Sequence, residues 1–315
     1  MVAYAVLAGV ALLGITAVWG WTFVLVHDAV RTYGVVAFLA LRFCVAAVIL
    51  APAVRGRLGP KTLATGGGIG LLLASGYLLQ TWGLRHTTPT SAGLITGLFV
   101  VIAPLADRLL YGTAVRAAAR WAIAASLVGL WLLSGGGAPA LQKGDTLMVG
   151  CAIAYGFHVA LLSRHAPRHD PLALTFVQLF TGAAVFSLSW PAVDPLVLPS
   201  DPAVWLALAV TSTLASALAY LVQTWAQQRL SAAQTAVILT AEPVFATLFG
   251  FALAGDRLTL VQLAGGALIL AAVAMVEVLP NLRHFSRKAR GTGAEREGPN
   301  PPTTSLDRTD PCDRR

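Results

Sequence analysis

The sequence predicts an all-α integral membrane protein of ten transmembrane helices, arranged as two inverted five-helix repeats. Three observations carry that expectation. Hydrophobic residues make up 57% of the 315 and charged residues 11%. Apolar runs of about 20 residues, enough to cross roughly 30 Å of hydrocarbon, recur from Tyr4 to Val278. The segment Tyr77-Leu78-Leu79-Gln80-Thr81-Trp82 returns as Tyr220-Leu221-Val222-Gln223-Thr224-Trp225, 143 positions later. Five spans per copy is an odd number, so the second copy enters the bilayer upside down relative to the first.

Taken in order, hydropathy and helix breakers place spans at 4–26, 34–52, 62–84, 91–111, 121–134, 146–163, 172–190, 203–227, 232–254 and 260–279. The first is a span and not a signal peptide, because no basic segment precedes it and its apolar stretch runs past Trp21. Gly66, Gly67, Gly68 and Gly70 on the third, with Gly265 and Gly266 on the tenth, read as close-packing surfaces. The fifth is the shortest and is open to an earlier start near Arg116. The repeats are expected at 1–137 and 143–279. From Arg283 the periodicity gives way to Pro, Gly, Thr and charge, so 283–315 reads as a disordered cytoplasmic tail.

The net charge of +8 does not indicate nucleic-acid binding, because the basic residues sit mostly in short connections and the tail. With the N-terminus inside, the cytoplasmic loops and the start of the tail hold twelve Lys/Arg (Arg55, Arg57, Lys61, Arg116, Arg120, Arg164, Arg168, Arg229, Arg283, Arg287, Lys288, Arg290). The outer loops hold four, Arg31, Arg85, Lys143 and Arg257. That split predicts a multi-pass plasma-membrane protein with both termini cytoplasmic and the lipid bilayer as its surroundings. Cys44 and Cys151 lie in spans and Cys312 in the tail, without CxxC or paired spacing, so no disulfide framework is expected. The loop His165-Ala166-Pro167-Arg168-His169-Asp170 is half a metal site interrupted by proline, with no second cluster; no metal or cofactor is expected.

The duplication extends beyond the first motif. Trp19-Gly20-Trp21 matches Tyr155-Gly156-Phe157, and Arg42 with Ala46 and Ala47 matches Gln178 with Gly182 and Ala183, both at an offset of 136. Pro104 and Pro243, 139 apart, mark the fourth pair of spans and set Glu242 opposite Ala103. Each proline removes a backbone donor, leaving the carbonyls of Val100 and Leu239 short of a partner; such breaks either punctuate a helix or act as hinges lining a pathway.

Charged side chains near mid-bilayer are expensive and usually have a task. Arg42 lies about eight residues into span 2 and Glu242 about ten into span 9, at similar depth given the helical rise. Two readings stay open: a buried ion pair fixing register, or a carboxylate poised for proton coupling or cation recognition. Tyr77 with Gln80, and Tyr220 with Gln223 and Gln227, form polar stripes on their helices. Trp19 with Thr16 and Phe23, and Tyr155 with Cys151 and His158, form matching mixed faces suited to a small-molecule cavity. His158 is either a proton shuttle or a locally satisfied histidine.

Trp19-Gly20, Arg42-Phe43, Gly97-Leu98-Phe99-Val100-Val101 running to Pro104, and Glu242-Pro243-Val244-Phe245-Ala246 followed by Gly255-Asp256 together give a resemblance. Over about residues 4–279 the chain resembles the EamA-type transporters of the drug/metabolite transporter superfamily. It departs from their pattern with Gly112-Thr113 after span 4, where an acid is usual, and Asp256 where Glu is commoner. The resemblance implies a central cavity lined by spans 1–4 and 6–9, peripheral spans 5 and 10, and export of small metabolites, amino acids or drugs. The expectation is therefore a secondary transporter, not an enzyme, with a midplane site lined by Trp19, Arg42, Gln80, Tyr155, His158, Gln178, Gln223 and Glu242. Pro104 and Pro243 are its expected hinges, and a proton its candidate coupling ion. The competing classes are a membrane-embedded lipid-modifying enzyme, which needs carboxylates or histidines grouped at one membrane face, and a passive channel.

Overall fold

The computed structural model describes residues 2–87, 89–136, 143–254 and 258–276. The expected tail, Gly255-Asp256, Arg257 and the end of the last span lie outside the described residues. Every regular element described is helical: α1 (Val2–Thr32), α2 (Val35–Leu50), α3 (Pro60–Leu84), α4 (Pro89–Thr96), α5 (Phe99–Tyr111), α6 (Ala117–Leu133), α7 (Asp145–His165), α8 (Pro171–Val193), α9 (Pro202–Ser212), α10 (Ala219–Gln227), α11 (Ala232–Leu239), α12 (Glu242–Ala254) and α13 (Leu260–Val276). Among the described residues, eight stretches are long and apolar enough to cross a bilayer, while α6 and α13 are apolar but shorter. The first helix outruns its expected end near Val26, staying helical through His27 and Asp28 to Thr32. The fifth takes the earlier start, with Arg116 as its N-cap.

The surface is apolar where a water-soluble protein would be polar. Val10, Leu71, Leu109, Trp121, Leu188, Leu206 and Phe251 face outward, whereas Arg42, His158, Gln178, Gln223 and Gln227 are buried. That inversion is the arrangement hydrocarbon favours.

Among the described residues, three of the expected spans are interrupted. Between α9 and α10 the helix widens into a π segment, Thr213–Leu218. The fourth span breaks at Gly97 and Leu98, where Val100 and Val101 donate to carbonyls three residues back. The ninth breaks at Thr240 and Ala241, where Ala241 does the same to Ile238. These two breaks are 143 residues apart, the offset of the Tyr77 and Tyr220 motifs. Glycine packing gives the same register. A Cβ on Gly20 of α1 would meet Ala246 N and Phe245 Cβ at 2.7 and 2.9 Å, and one on Gly156 of α7 would meet Ala103 N and Ile102 Cβ at 3.1 and 2.7 Å. Ile102 and Ala103 therefore answer to Phe245 and Ala246, and Glu242 answers to Phe99. This corrects the proline-based register: Pro104 lies inside α5, Pro243 in the first turn of α12, where a missing N–H costs little, and the two are not equivalent.

Helix α2 packs along α8, α3 packs on α7 and α8, and α1 packs on the α9–α10 and α11–α12 spans. The connections fix the direction of the α2–α8 pair. After α8, the Asp194 carboxylate accepts from Val36 N and Ala37 N at 2.7 and 3.1 Å, capping the N-terminus of α2. After α2, Arg57 donates to the Asp170 carboxylate at 2.9 Å, and Asp170 is the N-cap of α8. Each helix thus ends where the other begins, so the two run antiparallel. Near Asp194 the Tyr33 hydroxyl donates to Val197 O at 2.7 Å. Burial first, and that carboxylate second, raise the Tyr33 phenol above its ordinary value, so it keeps the proton it donates.

Small residues let the helices approach. Gly66 and Gly70 face Val177 and Gln178 of α8, and Gly129 of α6 lies against Gly265 of α13, as close-packing surfaces should. Gly68 corrects that expectation, since a Cβ there meets nothing within 4 Å.

Candidate functional site: a central cavity between the two halves

A cavity of about 470 Å³ lies at the centre. Its wall comprises Trp19 of α1, Tyr77 and Gln80 of α3, Thr96 and Phe99 at the α4–α5 break, Tyr155, His158 and Val159 of α7, Tyr220 and Gln223 of α10, and Leu239 and Glu242 at the α11–α12 break. The lining pairs across the duplication: Trp19 with Tyr155, Tyr77 with Tyr220, Gln80 with Gln223, Thr96 with Leu239, and Phe99 with Glu242. The repeat partners of His158 and Val159 are Thr22 and Phe23, which line a smaller adjoining cavity with Arg42 and Glu242. Both helix breaks open onto the central space, so the loss of regular backbone falls where it borders a cavity and not lipid.

The aromatic residues hold this wall. Trp19 packs on Tyr220 with ring centroids 5.5 Å apart, and Tyr155 packs on Tyr77 at 5.9 Å, so these matched aromatics of each half's first helix meet the other half's motif tyrosine. The two tyrosines bond to each other, Tyr220 OH donating to Tyr77 OH at 3.0 Å.

Arg42 lies behind this layer. Its guanidinium sits 4.7 Å from the Tyr77 ring centroid and donates to Tyr77 OH at 3.0 Å, Ser216 Oγ at 2.8 Å and Ala215 O at 3.3 Å. Ala215 O also accepts from Trp19 Nε1 at 2.9 Å. Ala215 and Ser216 belong to the π segment, so the widened turn presents a carbonyl and a hydroxyl where buried donors need them. The open question of an Arg42–Glu242 ion pair is thereby answered: among the described residues the two do not pair with each other, and the Arg–carboxylate pair seen is Arg57–Asp170. The Glu242 carboxylate, half-buried at the cavity wall, makes no hydrogen bond or ion pair with a described residue.

A second polar chain runs through α7, α8 and α10. Gln227 Nε2 donates to Val159 O at 2.9 Å and to Ser163 Oγ, turning its Oε1 toward Gln223 Nε2 at 3.0 Å. Gln223 Oε1 is then left without a partner, although the residue is only 2% exposed. Gln178 donates to Leu174 O at 3.2 Å, which leaves its Oε1 to accept from His158 Nε2 at 2.8 Å.

Of the residues expected to form the site, Trp19, Gln80, Tyr155, His158, Gln223 and Glu242 come together at the central cavity, and Arg42 borders the adjoining one. Gln178 lines neither; it is fully buried beneath His158. Sequence reasoning missed Ser216, Thr96, Phe99 and Leu239 as neighbours of the site, and it noted Tyr77 and Tyr220 only as stripe residues. The residues of the half metal site are engaged apart from one another: His165 with Tyr111 OH at 3.4 Å, His169 with Thr62 Oγ1 at 3.1 Å, and Asp170 with Arg57.

An uncharacterized transporter of Archaeoglobus fulgidus is 34% identical over 272 residues, 86% of this chain and 85% of that protein. A crystal structure of a protein 21% identical in sequence shares the fold, with a TM-score of 0.72 over 89% of this chain and 98% of that one. The profile of the EamA-like transporter family matches twice, over residues 6–135 and 142–278, once on each copy of the duplication. With both copies matched, this multi-pass membrane protein belongs to the EamA-like transporter family of the drug/metabolite transporter superfamily.

Proposed function

We propose that the protein is a secondary transporter that exports a small solute by alternating access at the central cavity, with ten spans built as two inverted repeats. The observation that carries this reading is the pairing of the cavity lining across the duplication: Tyr77 with Tyr220, Gln80 with Gln223, and Phe99 with Glu242. A site shared between equivalent positions of two halves can be exposed to either side by rocking one half against the other. Inversion is supported by the antiparallel run of α2 and α8, which carry the matched positions Arg42 and Gln178. It is also supported by exchange of partners, since the first helix of each half packs on the third and fourth spans of the other.

The orientation follows the Lys/Arg split: both termini cytoplasmic, in the plasma membrane, with the repeats near 1–137 and 143–279. Glu242 is the coupling or substrate carboxylate, because it lines the cavity without a side-chain partner among the described residues and its repeat partner Phe99 cannot ionise. A proton is the natural competitor for that site. The helix breaks, more than the prolines beside them, are the hinges.

Counterflow into proteoliposomes of the purified protein, against a panel of amino acids, nucleosides and amines, tests the reading. Saturable exchange stimulated by a proton gradient is expected. Flux that never saturates and ignores the gradient would instead mean a passive channel.

A further inference from the structure

We infer that the central cavity takes a protonated amine carrying N–H donors on an apolar or aromatic body, and not a carboxylate, a phosphate or a quaternary ammonium. The inference rests on the transporter reading and narrows its substrate.

Charge comes first. Glu242 borders the central cavity, whereas the nearest guanidinium, Arg42, borders the adjoining one and is turned onto the Tyr77 ring, Ser216 Oγ and Ala215 O. An anion in the cavity would face a carboxylate, with the positive charge set behind Tyr77. A cation would meet Glu242 directly, which has no partner among the described residues. The faces and edges of Trp19, Phe99, Tyr155 and Tyr220 surround the same space, and π faces attract cations.

Hydrogen-bonding capacity then separates one kind of cation from another. The orientation of Gln223 is fixed from outside: Gln227 must give its amide nitrogen to Val159 O, so Gln223 must give its own to Gln227, and Gln223 Oε1 is the orphan. An orphaned buried acceptor is costly unless a ligand supplies a donor. Gln80 Oε1, its repeat partner, already accepts from Tyr155 OH at 3.3 Å. His158 spends its Nε2 hydrogen on Gln178, which leaves Nδ1 of the neutral ring as an acceptor as well. Apart from the amide nitrogen of Gln80, the polar groups of this wall left open to a ligand are acceptors: the Glu242 carboxylate, Gln223 Oε1 and His158 Nδ1. An ammonium with N–H groups answers both Glu242 and Gln223, whereas a quaternary ammonium answers the charge and leaves Gln223 Oε1 stranded.

The test uses the full-length protein in detergent, with phenethylamine, its N,N,N-trimethyl derivative and phenylacetate as probes, read by thermal melting and by tryptophan fluorescence, which Trp19 should report. Phenethylamine is expected to bind about tenfold or more tighter than the trimethyl compound, with phenylacetate causing no shift. Gln223→Leu should bring the two cations within about threefold of each other, and Glu242→Gln should weaken both by about tenfold or more without abolishing binding, so that part of the exchange survives at high solute concentration. The ranking on the unaltered protein stands even if a variant fails to fold. Equal binding of the two cations, a preference for phenylacetate, or no response to phenethylamine at 10-fold above the highest trimethyl concentration used would overturn the inference. Saturable counterflow of an acidic or zwitterionic solute that phenethylamine does not inhibit would overturn it while keeping the transporter. Amine binding without any translocation would instead keep the cation site and overturn the transporter.

Discussion

Tyr220 donates its hydroxyl hydrogen to Tyr77 at 3.0 Å, and the two residues are the same position of a segment used twice in the chain. Tyr77 OH also accepts from Arg42, so the oxygen serves two donors, while Tyr220 supplies one of them. The duplicated residues are alike in sequence and unlike in duty. Tyr220→Phe should lower stability by about 0.5 to 1.5 kcal/mol, the net worth of one hydrogen bond. Tyr77→Phe, which strands Arg42 and Tyr220 together, should cost about 1 to 3 kcal/mol. Unfolding of the two single variants and the double variant in detergent checks this; the double should resemble Tyr77→Phe alone, because the tyrosines share one bond.

Arg42 and Glu242 should behave as independent charges. A direct buried pair would lose about 3 to 5 kcal/mol when one partner is removed. With Arg42 held by Tyr77, Ser216 and Ala215, the coupling in an Arg42→Gln, Glu242→Gln cycle should stay near additivity, within about 0.5 kcal/mol. On the same preparations, Glu242→Gln should abolish gradient-driven transport and leave part of the solute exchange. Strong coupling, or a Glu242→Gln protein that still responds normally to a proton gradient, would contradict these roles.

The glycines of α3 offer a comparison within one helix. A Cβ at Gly70 would lie 2.8 to 2.9 Å from Thr181 and Gln178 of α8, and one at Gly68 meets nothing within 4 Å. Gly70→Ala should therefore destabilise by about 1 to 3 kcal/mol through overpacking. Gly68→Ala should stabilise by up to about 1 kcal/mol through helix propensity. Thermal melting of the two variants decides, and the same sign for both would contradict the packing.

Topology can be read directly. In a background with Cys44, Cys151 and Cys312 replaced, a cysteine at Arg57 or in the tail should be labelled only from the cytoplasm, and one at Asp201 only from outside. Labelling of Asp201 and the tail from the same side would exclude the inverted arrangement.

The sequence displays helices well because apolar length and breakers are local signals, and it displays much of the cavity wall because duplication makes equivalent polar positions recur. What it conceals is contact. Nothing in Thr213-Leu214-Ala215-Ser216-Ala217-Leu218 announces a π turn, since the turn is held by what Arg42 and Trp19 require of it. Gln178 and Gln223 look alike as polar residues in apolar spans, yet one is satisfied by His158 and the other, a residue of the cavity wall, keeps an idle buried oxygen. Proline misled the register for a related reason. It is conspicuous in a sequence, but the chain breaks at Gly97 and Leu98, six residues before Pro104, where cavity and neighbouring helices allow it.

The two ends of the α2–α8 pair are fastened at corresponding places by different chemistry: Asp194 on the backbone amides of α2, and Arg57 on the side chain of Asp170. The Arg57–Asp170 pair is open to solvent, at 52% and 36% side-chain exposure, so salt weakens it over a screening length of about 8 Å at physiological ionic strength. The Asp194 cap is half-buried and depends on a single carboxylate holding two backbone amides. Ionic strength therefore loosens the Arg57–Asp170 end more readily than the Asp194 end. The two halves are in this way joined by two clasps of different kind, each of which a single substitution can alter without touching the other.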